Sequence, residues 1–143
     1  SHIFPSVTKG GHSAIFSTTG NDDCHVILRG GKEPNFDAVS VQAGCDLLTK
    51  AGVPPRLMVD LSHANSSKDH ERQKVAGAAV AEQLQTAPDN VLGVMIESHL
   101  VAGKQSLSND LTYGQSITDA CIGWEDTVVL LDQLAAANAR SGN

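Results

Sequence analysis

The sequence predicts an α/β fold in which short apolar strands alternate with helices behind a β-hairpin. Three observations support this: a strand–loop–helix order repeats in one direction, successive strands are about one βα unit apart, and two β-rich segments flank a glycine pair. A repeat in one direction implies a parallel sheet. We expect one domain, residues 1–143, with the hairpin in residues 1–20 and the βα units in residues 21–143.

The individual elements follow from composition and hydrophobic pattern. Residues 3–8 and 13–18 favour strands, and the glycine pair between them favours a tight turn. The later predicted strands are residues 24–28, 57–61, 91–96 and 115–118, and the predicted helices are residues 37–51, 68–86 and 125–140. Residues 97 to about 113 are expected to form a polar loop, and residues 141–143 a low-complexity tail.

The apolar residues also predict which faces are buried. Because the predicted strands are almost wholly apolar, we expect both faces of the sheet to be covered. The predicted buried faces are Val41, Cys45 and Leu48 in the first helix and Val128, Leu131, Leu134 and Ala135 in the last.

Composition excludes several classes of function. A net charge of −6 leaves no basic face for general nucleic-acid binding, although local Arg and Lys could still bind a small anion. No apolar run approaches the ~20 residues of a membrane span and no charged-then-apolar leader opens the chain, so we expect a cytoplasmic protein without membrane contact. Ser1 leads directly into a strand-like segment without a start methionine, so we expect a fragment or processed piece of a longer protein.

The cysteines Cys24, Cys45 and Cys121 are widely and irregularly spaced. The absence of a CxxC pair argues against a disulfide framework or a zinc ribbon, and we expect buried, reduced thiols. Cys121, two residues after Asp119, could also supply a sulfur ligand, but a structural thiol is the favoured interpretation.

A polar residue that can bind a metal or an anion follows each predicted strand. These residues are Arg29, His63, Glu97 and Asp119. The first three are 34 residues apart, which matches one βα unit, whereas Asp119 follows Glu97 by only 22 residues. The third connection is therefore predicted to contain little or no helix.

These strand-end residues predict a metal centre. The carboxyl ends of parallel strands share one rim, so residues distant in sequence converge there. One imidazole and two carboxylates suit Mn²⁺, Fe²⁺, Co²⁺ or Zn²⁺ with a position left open. Arg29 could bind a phosphate or carboxylate in bidentate fashion, and the glycines that follow it allow close approach of the backbone.

Taken singly, a histidine or carboxylate after a strand is more often an ordinary loop residue. Four such residues in register favour a functional site. The other histidines, His2, His12, His25, His70 and His99, lack this placement. For His99, an ordinary loop residue is favoured over a partner of the metal ligands.

The strand ends carry longer motifs, Ile-Leu-Arg-Gly-Gly-Lys at 27–32, Asp-Leu-Ser-His-Ala-Asn-Ser at 60–66, Gly-Val-Met-Ile-Glu-Ser at 93–98 and Ser-Ile-Thr-Asp-Ala-Cys-Ile-Gly-Trp at 116–124. In this order and spacing they resemble the bacterial and fungal type I 3-deoxy-D-arabino-heptulosonate-7-phosphate (DAHP) synthases. The resemblance covers nearly the whole chain. At 143 residues the chain is well short of the ~250 of a complete barrel, and the resemblance implies the C-terminal half of a (β/α)8 TIM barrel with about four parallel strands.

The resemblance also implies a reaction. The family condenses phosphoenolpyruvate with D-erythrose 4-phosphate, the first step of the shikimate pathway to aromatic amino acids, and uses a divalent metal, here expected to be Mn²⁺. Three of its four metal ligands correspond to His63, Glu97 and Asp119, and Arg29 corresponds to an arginine that binds the phosphate of phosphoenolpyruvate. The metal polarises the aldehyde oxygen. His63 and Asp119 are the expected catalytic residues, Asp119 with a part in proton transfer.

Other parts of the family's site correspond to nothing in these 143 residues. The cysteine ligand and the Lys-Pro-Arg-Thr-Ser stretch that binds erythrose 4-phosphate belong to the N-terminal half. We therefore expect the chain alone to lack synthase activity and to associate with its missing half or with a copy of itself. The complete enzyme is expected to be a homo-oligomer.

The hairpin resembles the family's regulatory insertion. Phe4, Ser6 and Phe16 correspond to inhibitor-binding positions, and Ser6 favours the phenylalanine-sensitive branch. Two alternatives remain open: the two phenylalanines pack the hairpin on the body, or the chain is a non-catalytic regulatory module derived from the enzyme. A different metal-dependent aldolase is disfavoured because it would have to reproduce all four motifs.

Overall fold

The computed structural model describes residues 1–140, so the predicted tail at 141–143 lies outside the described residues. Within residues 1–140, seven strands and three α-helices form an α/β structure. The strands are β1 (Ile3–Val7), β2 (Ser13–Ser17), β3 (Val26–Leu28), β4 (Leu57–Asp60), β5 (Val91–Met95), β6 (Val101–Lys104) and β7 (Gln115–Ser116). The helices are α1 (Ala38–Lys50), α2 (Arg72–Thr86) and α3 (Trp124–Arg140), with a short 3₁₀ turn at Pro88–Asn90.

The predicted hairpin is confirmed. β1 pairs with β2 in antiparallel register, with Phe4 opposite Phe16 and Ser6 opposite Ala14. Gly11 in the connecting turn has a φ of +81°, a conformation that glycine adopts without steric cost. All but one of the strand residues of the hairpin are exposed, so its order depends mainly on its own backbone ladder.

The parallel sheet is confirmed for three strands and wrong for the fourth. β3, β4 and β5 pair in parallel in that order. The predicted strand 115–118 shortens to β7, which pairs with β6 in a separate ladder. β6 was missed because residues 97–113 were predicted as a polar loop. Side-chain hydrogen bonds order this segment: the Gln105 amide group bonds to main-chain atoms of Thr112 and Gln115. No helix lies between β5 and β7 among the described residues, as predicted.

The helices cover one face of the three-stranded sheet. Leu57, Val59 and Leu61 are buried among residues of all three helices, and Val41 and Cys45 of α1 belong to this core as predicted. The opposite face, with Ile27 and Met58, remains partly open in the described part of the chain. The prediction that both faces are covered is therefore wrong for residues 1–140. None of the three described helices combines the length and the apolar character needed to cross a membrane.

The predicted face of α3 is wrong by about one residue. Val128 and Leu131 are 40% and 47% exposed and Ala135 is exposed, and of the predicted stripe only Leu134 is buried. The buried face is Thr127, Leu130, Leu134 and Ala137. α3 packs against α2 where Gly77 leaves room for the Leu130 side chain, so helix packing and not hydrophobicity alone selects the face.

Two further differences concern a helix start and a thiol. α2 begins at Arg72 and not at Lys68, because Ser67 and Lys68 have φ values of +55° and +64° that are incompatible with a right-handed helix. All three cysteines are free thiols, and Cys45 and Cys121 are buried as predicted. Cys24 is exposed, because it lies in an open segment before β3.

Candidate functional site

The four strand-end residues line one cleft. Arg29 follows β3, His63 and Glu97 follow β4 and β5 by a few residues, and Asp119 follows β7. The cleft has a volume of about 380 Å³, and its walls also include Gly30, Ser62, Ala64, Lys68, Lys104 and Ala120. The structure therefore brings together every residue for which the sequence predicted a metal or substrate role.

His63, Glu97 and Asp119 form the only group of three or more His, Cys, Asp and Glu side chains in the described chain that could hold a metal ion. One ligand atom from each lies within 4.8 Å of the others. Ligand atoms on a tetrahedral ion bound at about 2.1 Å are about 3.4 Å apart, so the three side chains would have to draw closer together around an ion. His63 and Glu97 are half-buried and Asp119 is exposed, so the cluster is anchored on one side and open on the other.

His63 is fixed by a carboxylate that the sequence analysis did not single out. Its Nδ1 lies 2.6 Å from Oδ2 of Asp60, the last residue of β4, and its Nε2 lies 3.5 Å from Oε1 of Glu97. Asp60 is only 1% exposed. Its only sequence signal was its place three positions before a candidate ligand, which does not show that the carboxylate contacts the ring.

Glu97 is fixed by Gln73 of α2, another residue that the sequence analysis missed. The Gln73 side chain accepts a hydrogen bond from Glu97 N (2.9 Å) and donates one to Glu97 O (3.0 Å), so it pairs with the strand end as a neighbouring backbone would. Ser62 Oγ donates to Glu97 Oε2 (3.1 Å). Gln73 is fully buried, and a buried amide on a largely apolar helix face was its only sequence signal.

Asn65 joins the loops that carry Arg29 and His63. Its side-chain amide donates to the carbonyls of Leu28 (3.1 Å) and Asp60 (2.7 Å), and its Oδ1 accepts from Asn35 N (2.7 Å). These bonds connect β3, β4 and the segment before α1. The relative positions of the two loops are therefore set by one buried side chain.

Gly30 allows these two loops to approach each other. It has a φ of +79°, and a Cβ there would lie 2.7 Å from the Ala64 Cβ and 2.8 Å from Asn65 N. Gly30 N donates to Asn35 Oδ1 (2.8 Å). Gly31, by contrast, has open space where a Cβ would lie, so only the first glycine of the pair is sterically required.

Two lysines on the cleft wall were not identified from the sequence. Lys68 follows the loop after β4, and Lys104 ends β6 within the segment predicted as loop. Together with Arg29 they place three cationic side chains around a cluster of carboxylates. The cleft thus combines metal-binding donors with groups suited to an anionic ligand.

The remaining candidates near the cleft are structural. Cys121 is buried, and burial raises the pKa of its thiol, an effect that the Glu97 and Asp119 carboxylates reinforce. Its Sγ donates to the Asp119 carbonyl (3.5 Å), and Cys121 is not part of the ligand cluster. His99 accepts a hydrogen bond from Leu100 N, as an ordinary loop residue does. Neither residue extends the metal centre.

The predicted inhibitor residues lie together on one face of the hairpin. Phe4 and Phe16 stack with ring centroids 6.0 Å apart and an interplanar angle of 14°, and Ser6 is two residues from Phe4 on the same face. The rings remain 43% and 37% exposed. The two phenylalanines therefore stack on each other and stay partly exposed, and the choice between inhibitor binding and packing on the body stays a prediction.

Comparisons with known proteins identify relatives of this chain. The chain is 57% identical over 144 aligned positions to the Phe-sensitive phospho-2-dehydro-3-deoxyheptonate aldolase of Escherichia coli K12, covering 99% of this chain and 41% of that protein. It is 55% identical to a phospho-2-dehydro-3-deoxyheptonate aldolase of Haemophilus influenzae, covering 95% and 38%, and 45% identical to the Trp-sensitive enzyme of E. coli K12, covering 96% and 40%.

A solved structure agrees with these relatives. The phospho-2-dehydro-3-deoxyheptonate aldolase of Francisella tularensis SCHU S4 superposes with a TM-score of 0.89 at 46% identity, covering 98% of this chain and 41% of that one. The chain thus spans about two fifths of the length of the relatives it matches. The family model of the DAHP synthetase I family matches residues 2–132, and the chain belongs to this family.

Proposed function

We propose that the protein carrying this chain condenses phosphoenolpyruvate with D-erythrose 4-phosphate, and that this chain supplies the metal-binding side of the active site. The observation that supports this best is the convergence of His63, Glu97 and Asp119 beside Arg29 in one cleft of a DAHP synthetase I family chain. Mn²⁺ is the proposed metal, and the nitrogen and oxygen donors also suit Fe²⁺, Co²⁺ and Zn²⁺.

The proposed architecture is the C-terminal half of a TIM barrel. Three parallel strands carry helices on one face only, while Ile27 and Met58 on the other face are incompletely covered. In a closed barrel that face would pack against the other strands. We propose that residues outside this chain complete the barrel, the metal ligands and the grip on both phosphates, and that the complete enzyme is a homo-oligomer.

Each strand-end residue has a proposed role in the condensation. Arg29, with its planar donor pair, holds the phosphate of phosphoenolpyruvate against the loop at Gly30. His63, Glu97 and Asp119 hold the divalent ion, which when bound would polarise the aldehyde oxygen of erythrose 4-phosphate. Asp119 is exposed to the cleft and so can exchange a proton at the oxygen that becomes a hydroxyl.

Replacing the histidine ligand tests this proposal in the full-length protein. We expect His63→Ala to lower kcat/KM for the condensation by roughly 1,000-fold, since the metal's contribution is worth several kcal/mol. The matched control is His25→Ala, an exposed histidine just before β3, at the opposite end of that strand from the cleft. A His63→Ala protein with wild-type kcat/KM contradicts the proposal.

Titration with Mn²⁺ separates an enzyme from a non-catalytic module. An enzyme should bind Mn²⁺ at one site that His63→Ala weakens, whereas a regulatory module should show no specific site involving His63. The 143 residues alone are expected to show no turnover, because they supply three metal ligands and one arginine. Turnover by the isolated chain near that of the full-length protein would overturn this expectation.

We further propose phenylalanine as the feedback inhibitor, bound at Phe4, Ser6 and Phe16. These residues share one face of the hairpin, and the Phe-sensitive relative is 57% identical whereas the Trp-sensitive one is 45% identical. Calorimetry of the full-length protein should give phenylalanine a lower Kd than tyrosine. Ser6→Gly should narrow that preference, and Ser17→Gly, on the opposite face, should not. Tighter binding of tyrosine by the wild type contradicts the proposal.

A further inference from the structure

We propose that Asp60 is a positioning residue that turns Nε2 of His63 toward Glu97 and Asp119. The inference rests on the proposed metal site and adds to it a residue that no metal would touch. Asp60 closes β4, three residues before His63, and its carboxylate contacts Nδ1, whereas Glu97 lies on the Nε2 side of the imidazole.

The contacts of the ring assign a role to each nitrogen. Nδ1 of His63 and Oδ2 of Asp60 are 2.6 Å apart, a short charge-assisted hydrogen bond. Nε2 is 3.5 Å from Oε1 of Glu97, too long for a strong hydrogen bond. One nitrogen is thus firmly held and the other faces the ligand cluster.

The chemistry of Asp60 explains why the held nitrogen must carry the proton. An ionised carboxylate only accepts hydrogen bonds, so Nδ1 has to donate and the lone pair of a neutral ring is left on Nε2. A carboxylate on Nδ1 also fixes the orientation of the ring, which keeps Nε2 directed at Glu97. An amide could present either a donor or an acceptor and would not fix the choice.

Asp60 is itself held rigidly. It is 1% exposed, its Oδ1 accepts from Ser62 N (2.8 Å), and its carbonyl accepts from the Asn65 amide (2.7 Å). His63 has a φ of +50°, an uncommon conformation for a non-glycine residue. The hydrogen bonds of Asp60 to Ser62 and His63 close the tight turn that holds this conformation.

The first test compares two variants of the full-length protein, each of which lacks one negative charge. We expect Asp60→Asn to weaken Mn²⁺ binding by about 10–100-fold in calorimetry without substrate. The control, Asp89→Asn, removes an exposed carboxylate in the turn before β5 and should change the Kd less than about 2-fold. A folded Asp60→Asn protein that binds Mn²⁺ as the wild type does overturns the inference.

The second test needs no destabilising variant. Nitrogen-15 NMR of metal-free, histidine-labelled wild-type protein at mildly alkaline pH reports which ring nitrogen carries the proton, with the His63 signals assigned by His63→Gln. We expect the Nδ1–H tautomer in the wild type and a shift toward the Nε2–H tautomer in Asp60→Asn. An Nε2–H tautomer in the wild type overturns the inference, even where Asp60→Asn fails to fold.

The two tests also separate this inference from the proposed metal site. A wild-type protein with the Nδ1–H tautomer but no specific Mn²⁺ binding would overturn the metal site and leave the orientation of His63 by Asp60 intact. Tight Mn²⁺ binding that His63→Ala abolishes and Asp60→Asn leaves unchanged would support the metal site and overturn the role of Asp60.

Discussion

The strand ends and the hairpin are stabilised in opposite ways. At the strand ends, Asp60, Asn65 and Gln73 are almost completely buried, and every buried polar side-chain atom of the described residues has a hydrogen-bond partner. We call these three residues the strand-end network. The hairpin has almost no buried side chains and is held by its backbone ladder and by the stack of Phe4 on Phe16.

The contrast shows how one chain can carry a rigid site and a responsive one. A fully satisfied buried polar network fixes positions sharply, because each broken bond leaves a desolvated group behind. An isolated two-stranded hairpin is only marginally stable, so it lies at the low-stability end of the molecule, where a bound ligand can order it. His63 and Glu97 belong to the first kind of region, and the proposed inhibitor site belongs to the second.

The largest effect is expected from removing the close approach of the two loops. Gly30→Ala forces a positive φ on alanine and places a Cβ 2.8 Å from main-chain atoms, which should lower the free energy of unfolding by about 4 kcal/mol. Gly31→Ala, next to it, meets no atom within 4 Å and should change it by less than about 0.5 kcal/mol. Urea denaturation followed by circular dichroism measures both. Equal losses of stability in the two variants would mean that the close approach of the loops after β3 and β4 does not require a glycine at position 30.

A somewhat smaller loss of stability is expected from removing the Asn65 side chain, which joins the two loops in the strand-end network. Asn65→Ala leaves the carbonyls of Leu28 and Asp60 and the N–H of Asn35 without their partner, which should cost about 3 kcal/mol of stability. Asn109→Ala, at an exposed loop position, is the matched control and should be close to neutral. If both variants unfold at the same urea concentration, the network does not stabilise the fold.

The smallest effect is expected in the hairpin. A double-mutant cycle of Phe4→Ala and Phe16→Ala should give a coupling energy of about 1 kcal/mol, typical of a stacked aromatic pair. The loss of this coupling should appear as faster hydrogen exchange of the hairpin amides, while the exchange rates of the β4 amides stay unchanged. Faster exchange in β4 as well would show that the two regions are coupled and would remove the distinction between them.

The sequence predicted more of the site than of its supports. Arg29, His63 and Glu97 could be found because each follows an apolar strand, and parallel strands present their carboxyl ends on one rim. Asp119 was predicted by the same argument, although β7 before it is a short polar strand in a separate ladder. Asp60 and Gln73 could not be found in this way, because their roles depend on atoms 2.6–3.0 Å away across a turn or from another element. Hydrophobic period identifies a face but carries no information on hydrogen-bond partners.

By itself, the sequence determined the βα order, the hairpin, three of the parallel strands and the residues that converge at the cleft. Local patterns are sufficient for these because the spacing of apolar residues and the turn glycines can be read within a short stretch of neighbouring residues. Only the tertiary structure decided that β6 pairs with β7, that Leu130 and not Leu131 faces Gly77, and that Asp60 holds His63. Each of these depends on space and hydrogen-bonding partners supplied by another turn or element, which no local pattern contains.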